Sequence, residues 1–215
     1  MADATHPDPT NGSVLDLSPV IPVVVLDDPG AAVPLARALA AGGIGVVELT
    51  LRTRTALECA RAIAAEVPEV VLGIGTALTP ADVAAAAAAG ARFLVSPGAT
   101  PDLLAAAADS GLPFLPGVAT PSEAMRLLEA GTTEMKFFPA QQVGGPGLLG
   151  ALRSPLPQLR FCPTGGITLA SAPTYLALSN VGCVGGSWLT PADAVAAGDW
   201  ARIEQLAREA VTALG

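Results

Sequence analysis

One lysine stands in this chain of 215 residues, against ten arginines, and it lies in a run with the look of a buried strand, Glu134-Met135-Lys136-Phe137-Phe138-Pro139-Ala140. A lysine kept among arginines points to the property arginine lacks: it can lose its proton. Burial lowers the pKa of an ammonium, and the free amine attacks carbonyls to form a Schiff base. The plainer reading is a lysine near a strand end whose stem is buried while its charged head reaches water.

Two further constellations could do chemistry. In Val47-Glu48-Leu49-Thr50-Leu51-Arg52 a carboxylate interrupts an apolar strand and an arginine follows four residues on. A structural Glu48–Arg52 ion pair is one reading, since a carboxylate among valines and leucines must be paired or lie at the strand's mouth. The functional reading makes Glu48 a general acid/base and Arg52 a clamp for a substrate carboxylate, its charge helping to keep Lys136 deprotonated. The second constellation is two glycine pairs, Pro163-Thr164-Gly165-Gly166 and Gly185-Gly186-Ser187. Each alone could be a tight turn. Together they are suited to turning backbone N–H groups toward a phosphate.

These groups need a scaffold that brings them to one end. From Val20 onward the chain repeats a β-branched run, a Gly or Pro turn and an Ala/Leu-rich stretch. Strands are predicted over 20–26, 46–50, 70–74, 92–96, 113–116, 134–138, 159–162 and 181–185. Helices are predicted over 30–42, 54–66, 80–90, 101–110, 121–130 and 199–213. Thr79-Pro80, Thr100-Pro101 and Thr120-Pro121 mark helix starts, and Gly43, Gly90, Gly111 and Gly131 mark helix ends. Strands alternating with helices imply a parallel sheet, and eight such units fit a single-domain (β/α)₈ TIM barrel over residues 19–215. In that fold the catalytic groups sit at the C-terminal strand ends, and phosphate binds after the seventh and eighth strands, where the two glycine pairs fall. An open doubly wound sheet is the alternative. It would place a glycine-rich turn after the first strand, where the sequence reads Leu26-Asp27-Asp28-Pro29-Gly30 instead. Residues 1–18, rich in Pro, Asp, Asn, Thr and Ser, read as a flexible N-terminal extension.

Composition removes other classes. A net charge of -8 without a basic stripe argues against a nucleic-acid partner. No apolar run has the length to span a membrane, and the first basic residue, Arg37, comes too late for a secretory leader. Cys59, Cys162 and Cys183 fit neither a disulfide framework nor a C-x-x-C metal site, so a cytoplasmic location is expected. A metal-dependent reaction would need clustered ligands, and the single histidine is His6.

Six segments now carry a family resemblance: Glu48-Leu49-Thr50-Leu51-Arg52, Gly73-Ile74-Gly75-Thr76, Ser96-Pro97-Gly98, Lys136-Phe137-Phe138-Pro139-Ala140, Arg160-Phe161-Cys162-Pro163-Thr164-Gly165-Gly166-Ile167 and Gly185-Gly186-Ser187-Trp188-Leu189. In this order, and from Pro19 to the C-terminus, the chain resembles the bacterial 2-keto-3-deoxy-6-phosphogluconate aldolases. The resemblance implies a (β/α)₈ barrel, a homotrimer, and a class I aldolase of the Entner–Doudoroff pathway that needs no metal or cofactor. Its substrate would be a phosphorylated keto acid and one product pyruvate. Lys136 matches the Schiff-base lysine and Glu48 the acid/base. Arg52 and Thr76 match contacts to the pyruvyl carboxylate, Pro97 and Phe138 match positions packed around the pyruvyl group, and Thr164, Gly165, Gly166, Gly186 and Ser187 match the phosphate end. Gln141-Gln142-Val143 departs from the pattern, which has an acidic residue there, and Pro121 in the loop 118–122 is also unexpected. Both departures bear on the aldehyde half. Cleavage of 4-hydroxy-2-oxoglutarate or of the phosphogalactonate epimer is the alternative specificity. A phosphosugar-binding barrel without catalysis would not need Lys136, Glu48 and Arg52 together.

Overall fold

The computed structural model describes residues 12–215. Its parallel strands are β1 (Val20–Val24), β2 (Val46–Thr50), β3 (Val71–Gly75), β4 (Phe93–Val95), β5 (Phe114–Leu115), β6 (Gly117–Val118), β7 (Glu134–Phe137), β8 (Arg160–Pro163) and β9 (Val184–Gly186). One ladder runs β5-β4-β3-β2-β1-β9 and another runs β6-β7-β8. Isolated parallel bridges close the gap between these ladders: Phe161 of β8 pairs with Val181, just before β9, and Thr164, just after β8, pairs with Gly185 of β9. Only Pro116, which has no N–H to give, separates β5 from β6. The nine segments are therefore eight strands of a closed barrel, with β1 pairing both β2 and β9.

Every residue of β1, β2 and β3 is buried, because one face lines the barrel and the other lies under helices. The helices are α1 (Ala32–Ala41), α2 (Ala56–Glu66), α3 (Pro80–Ala88), α4 (Pro101–Ser110), α5 (Pro121–Glu129), α6 (Gly145–Leu152), α7 (Ala172–Leu176), α8 (Ala192–Ala197) and α9 (Trp200–Leu214). Thr79, Thr100 and Thr120 cap α3, α4 and α5, each accepting an N–H from the third helical residue, and a proline opens each helix. Gly43, Gly90, Gly111 and Gly131 all adopt positive φ, as helix-ending glycines do. With few aromatic residues to fill the outer layer, small ones let the helices close up. A Cβ on Gly42, after α1, would come within 2.4 Å of Ala207 on α9. Leu39, on the same helix, is 1% exposed, and its truncation to Ala costs about 2–5 kcal/mol.

The expected flexible extension over 1–18 is corrected for residues 12–18. Val14–Asp16 forms a 3-10 turn with Val14 and Leu15 buried. Ser13 Oγ donates to Glu134, the first residue of β7, and Asp16 pairs with Arg160, the first residue of β8. A Cβ on Gly182 would lie 2.7 Å from Leu15 Cβ, so the leucine packs directly on the backbone before β9. Two adjacent apolar residues are enough to pin the segment to the foot of the barrel, although they give no periodic signal. The rest of that expectation, residues 1–11, lies outside the described residues. Helices α6, α7 and α8 were not expected. Gly144, Gly145 and Gly147 crowd the start of α6, and α7 and α8 are too short for their periodicity to show.

Candidate active site

Inside the barrel, side chains alternate along each strand, so Glu134 and Lys136 share the inward face of β7, with Phe138 next in that alternation just past its end, and Arg160 and Cys162 share that of β8, with Thr164 just past it. Glu48 takes the inward position at the middle of β2, across the barrel from Lys136, between Val23 of β1 and Gly73 of β3. The two charged groups meet: Lys136 Nζ donates to Glu48 Oε1 at 2.9 Å, and both side chains are only 3% exposed. Glycines make the room. A Cβ on Gly73 would lie 2.1 Å from the Phe93 ring, and one on Gly75 would lie 2.1 Å from Glu48 Oε1. The Phe138 ring centroid lies 5.4 Å from Nζ and faces the cation.

Dehydrating an ammonium and a carboxylate together costs several kcal/mol per ion, and an apolar pair of similar volume is often as stable or more so. Stability is thus a poor reason for this pair. Chemistry is a better one, because a single hydrogen bond lets the proton pass from nitrogen to oxygen and leaves a nucleophilic amine.

Arg52, just past β2, is exposed, and its Nε donates to Thr76 Oγ1 at 3.3 Å. The structural Glu48–Arg52 ion pair does not form: Glu48 pairs with the lysine and Arg52 with Thr76, which leaves the reading of Arg52 as a clamp for a substrate carboxylate. Thr76 has φ +62°, the one positive φ on a non-glycine among the described residues. For a β-branched side chain that is strained by about 1–3 kcal/mol, a cost that concentrates at functional sites. Arg52, Phe138, Thr164, Gly165, Gly166 and Ser187 line one small cavity of about 100 Å³ at the barrel mouth. Gly165 and Gly166 have φ +105° and +76°. The backbone N–H groups of Gly166 and Ile167 find no protein acceptor among the described residues. A guanidinium, free N–H groups and a serine hydroxyl around one small space suit an anion.

Two expected site residues fall elsewhere. Pro97 is exposed and lines a separate cavity of about 580 Å³ with Gly98, Leu104 and Arg126. Gly186 lies beneath Trp188, whose ring a Cβ there would approach to 2.1 Å, so packing accounts for that glycine. Gly185 lines the small cavity instead, and a Cβ on it would meet Thr164 Oγ1 at 2.1 Å. Val23 and Ile167 also line the cavity and were missed. Ile167 directly follows the glycine pair, and Val23 lies near the C-terminal end of β1, positions that barrel geometry alone would nominate.

Cys59, Cys162 and Cys183 are free and buried, and burial raises the Cys59 thiol pKa. Among the described residues no three His, Cys, Asp or Glu side chains group as metal ligands would, and no helix is long and apolar enough to cross a membrane.

Comparison with known proteins places this geometry. The profile of the family described as KDPG and KHG aldolase matches residues 12–206. The chain is 52% identical over 199 residues to the KHG/KDPG aldolase of Escherichia coli (strain K12), covering 93% of each chain. It is 52% identical over 198 residues to the 2-dehydro-3-deoxy-phosphogluconate aldolase of Dickeya dadantii (strain 3937), covering 92% of this chain and 93% of that one. The crystal structure of the Legionella pneumophila KDPG aldolase, with pyruvate captured as a covalent carbinolamine intermediate, superposes with a TM-score of 0.91. It is 45% identical, over 93% of this chain and 97% of that one.

Proposed function

The chain belongs to the KDPG and KHG aldolase family, and from that premise we propose that it is a class I aldolase reversibly cleaving 2-dehydro-3-deoxy-6-phosphogluconate to pyruvate and glyceraldehyde 3-phosphate. The observation that carries the mechanism is the buried 2.9 Å contact between Lys136 Nζ and Glu48 Oε1. Proton transfer to Glu48 frees the amine, which attacks the C2 ketone. The carbinolamine loses water to give an iminium that acts as an electron sink. Glu48, its carboxylate restored, accepts the C4 hydroxyl proton as the C3–C4 bond breaks and the aldehyde leaves. The remaining enamine is protonated at its terminal carbon and hydrolysed, which releases pyruvate and regenerates the lysine.

Arg52 and Thr76 hold the pyruvyl carboxylate, with Phe138 packed against the pyruvyl group. The turn Thr164-Gly165-Gly166 and Ser187 take the phosphate. Pro97 acts only through the backbone it fixes beside β6, where a Cβ on Gly117 would lie 2.2 Å from its carbonyl carbon. The same reading makes the protein a cytoplasmic homotrimer, with mass in solution by light scattering as the check on assembly.

Incubation with pyruvate and borohydride, followed by peptide mapping, tests the chemistry. A reduced pyruvyl adduct on Lys136 is expected; a folded protein that forms none would overturn the covalent mechanism. A second specificity has its own support, since the E. coli relative is named for KHG as well as KDPG. Cleavage rates on 4-hydroxy-2-oxoglutarate and on the phosphorylated substrate decide which dominates.

A further inference from the structure

The loop after β7 runs beside the glycine turn after β8. Ala140 N–H donates to Thr164 O at 2.8 Å and Gln141 N–H to Gly165 O at 3.1 Å, so the two loops are tied along their backbones. Gln141 is held in place. Tyr175, 1% exposed on α7, donates its hydroxyl to Gln141 Oε1 at 3.0 Å. A Cβ on Gly166 would come within 2.8 Å of Gln141 Cβ, so the turn fits under that residue only as glycine.

Gln142 is different. Its backbone is fixed, with N–H donating to Pro139 O at 3.2 Å, but its side chain is exposed and its amide has no protein partner among the described residues. That amide lies over the turn, with Nε2 3.4 Å from where a Cβ on Gly166 would be. The nearby cavity offers the unspent N–H groups of Gly166 and Ile167 and the Ser187 hydroxyl. A phosphate dianion has more lone pairs than these donors satisfy. A carboxamide adds two N–H donors with no charge of its own, whereas a carboxylate at the same place would repel the anion.

We infer that Gln142 is a specificity-determining residue whose side-chain amide closes over the terminal phosphate and weights the enzyme toward phosphorylated substrates. The inference rests on the reading of the small cavity as the phosphate end. It makes the neutral glutamine, rather than the glycine turn alone, a reader of the aldehyde half.

The test compares cleavage of 2-dehydro-3-deoxy-6-phosphogluconate with that of its unphosphorylated counterpart by wild type, Gln142→Ala and Gln142→Glu. With hydrogen bonds to a charged group as the measure, Gln142→Ala should lower kcat/KM on the phosphorylated substrate roughly 10- to 100-fold, mainly through KM. The unphosphorylated substrate should change by less than about twofold, and Gln142→Glu should lose more than Gln142→Ala on the phosphorylated one alone. Thermal melting of each variant checks folding, and the exposed position makes an unchanged midpoint the expected result. A wild-type preference for phosphate that survives both substitutions overturns the role of Gln142 alone, as does an equal loss on both substrates. A wild type with no such preference overturns the phosphate reading and the inference with it.

Discussion

Two charged clusters share the inward face of β7, one built on Glu134 and one on Lys136, and they follow opposite rules. At the foot, Arg160 bridges Glu134 at 3.1 Å and Asp16, with side-chain exposures of 38%, 26% and 61% in that order. Two residues further along β7, Lys136 meets Glu48 with both groups dry. The foot uses a guanidinium, whose rigid fork engages several acceptors and never gives up its proton. The interior uses an ammonium, which fixes one partner and can become an amine. Water also divides them. Solvent screens the foot and limits its effect to stability, whereas dehydration makes the inner pair costly to hold and useful for moving a proton.

Exchanging the cations breaks the comparison most sharply. Lys136→Arg keeps a positive partner for Glu48 but removes the nucleophile, and turnover should fall by at least about 10⁴-fold. Arg160→Lys should leave turnover unchanged. Measurable cleavage by Lys136→Arg near the wild-type rate would mean that both pairs are structural. Glu48→Gln comes next. It removes the proton acceptor while sparing the amine, so kcat should drop about 10²- to 10⁴-fold. An effect confined to KM would place Glu48 in binding and not in proton transfer.

The foot yields smaller effects, read in stability. Arg160→Ala strips Glu134 and Asp16 of their partner and frees the turn at Val14–Asp16. It should cost about 1–2 kcal/mol by denaturant titration, with cleavage within about twofold of wild type. The smallest effect concerns pH. The hydrogen bond from Arg160 holds the Asp16 carboxyl below its usual range. A lowered folded-state pKa contributes stability that is present above the unfolded value, about 4, and is lost as pH falls through the folded one. Asp16 is largely exposed, so the increment is no more than about 1 kcal/mol. Asp16→Asn should remove it and flatten the acid side of the stability curve below about pH 4; an unchanged acid limb would show that the contact carries no free energy.

Much of the barrel was legible because its signals are local. Thr-Pro pairs and positive-φ glycines fix where α3, α4 and α5 begin and end, and β-branched runs mark strands that need no partner to be recognised. Lys136 was legible by rarity. What pairs with it was not, since the Lys136–Glu48 contact joins positions 88 residues apart and only barrel closure brings them together. The sequence left Glu48 a nearer partner in Arg52, four residues away, and proximity in the chain was misleading. Similar logic hid the packing of residues 12–18, where Val14 and Leu15 bury without any pattern. The glycine pair after β9 shows the converse: Gly185 opens onto the cavity and Gly186 packs under Trp188, although as letters the two are identical.

Gly75 bears no functional group, yet the position of the acid/base depends on it. Any side chain there would have its first carbon 2.1 Å from Glu48 Oε1. In a library randomised over the whole chain, position 75 should tolerate substitution as poorly as position 48 itself. A screen of variants would then flag a residue that has no side chain to act with. For anyone redesigning this pocket, the space above Gly75 is already taken by the Glu48 carboxylate and has to be left to it.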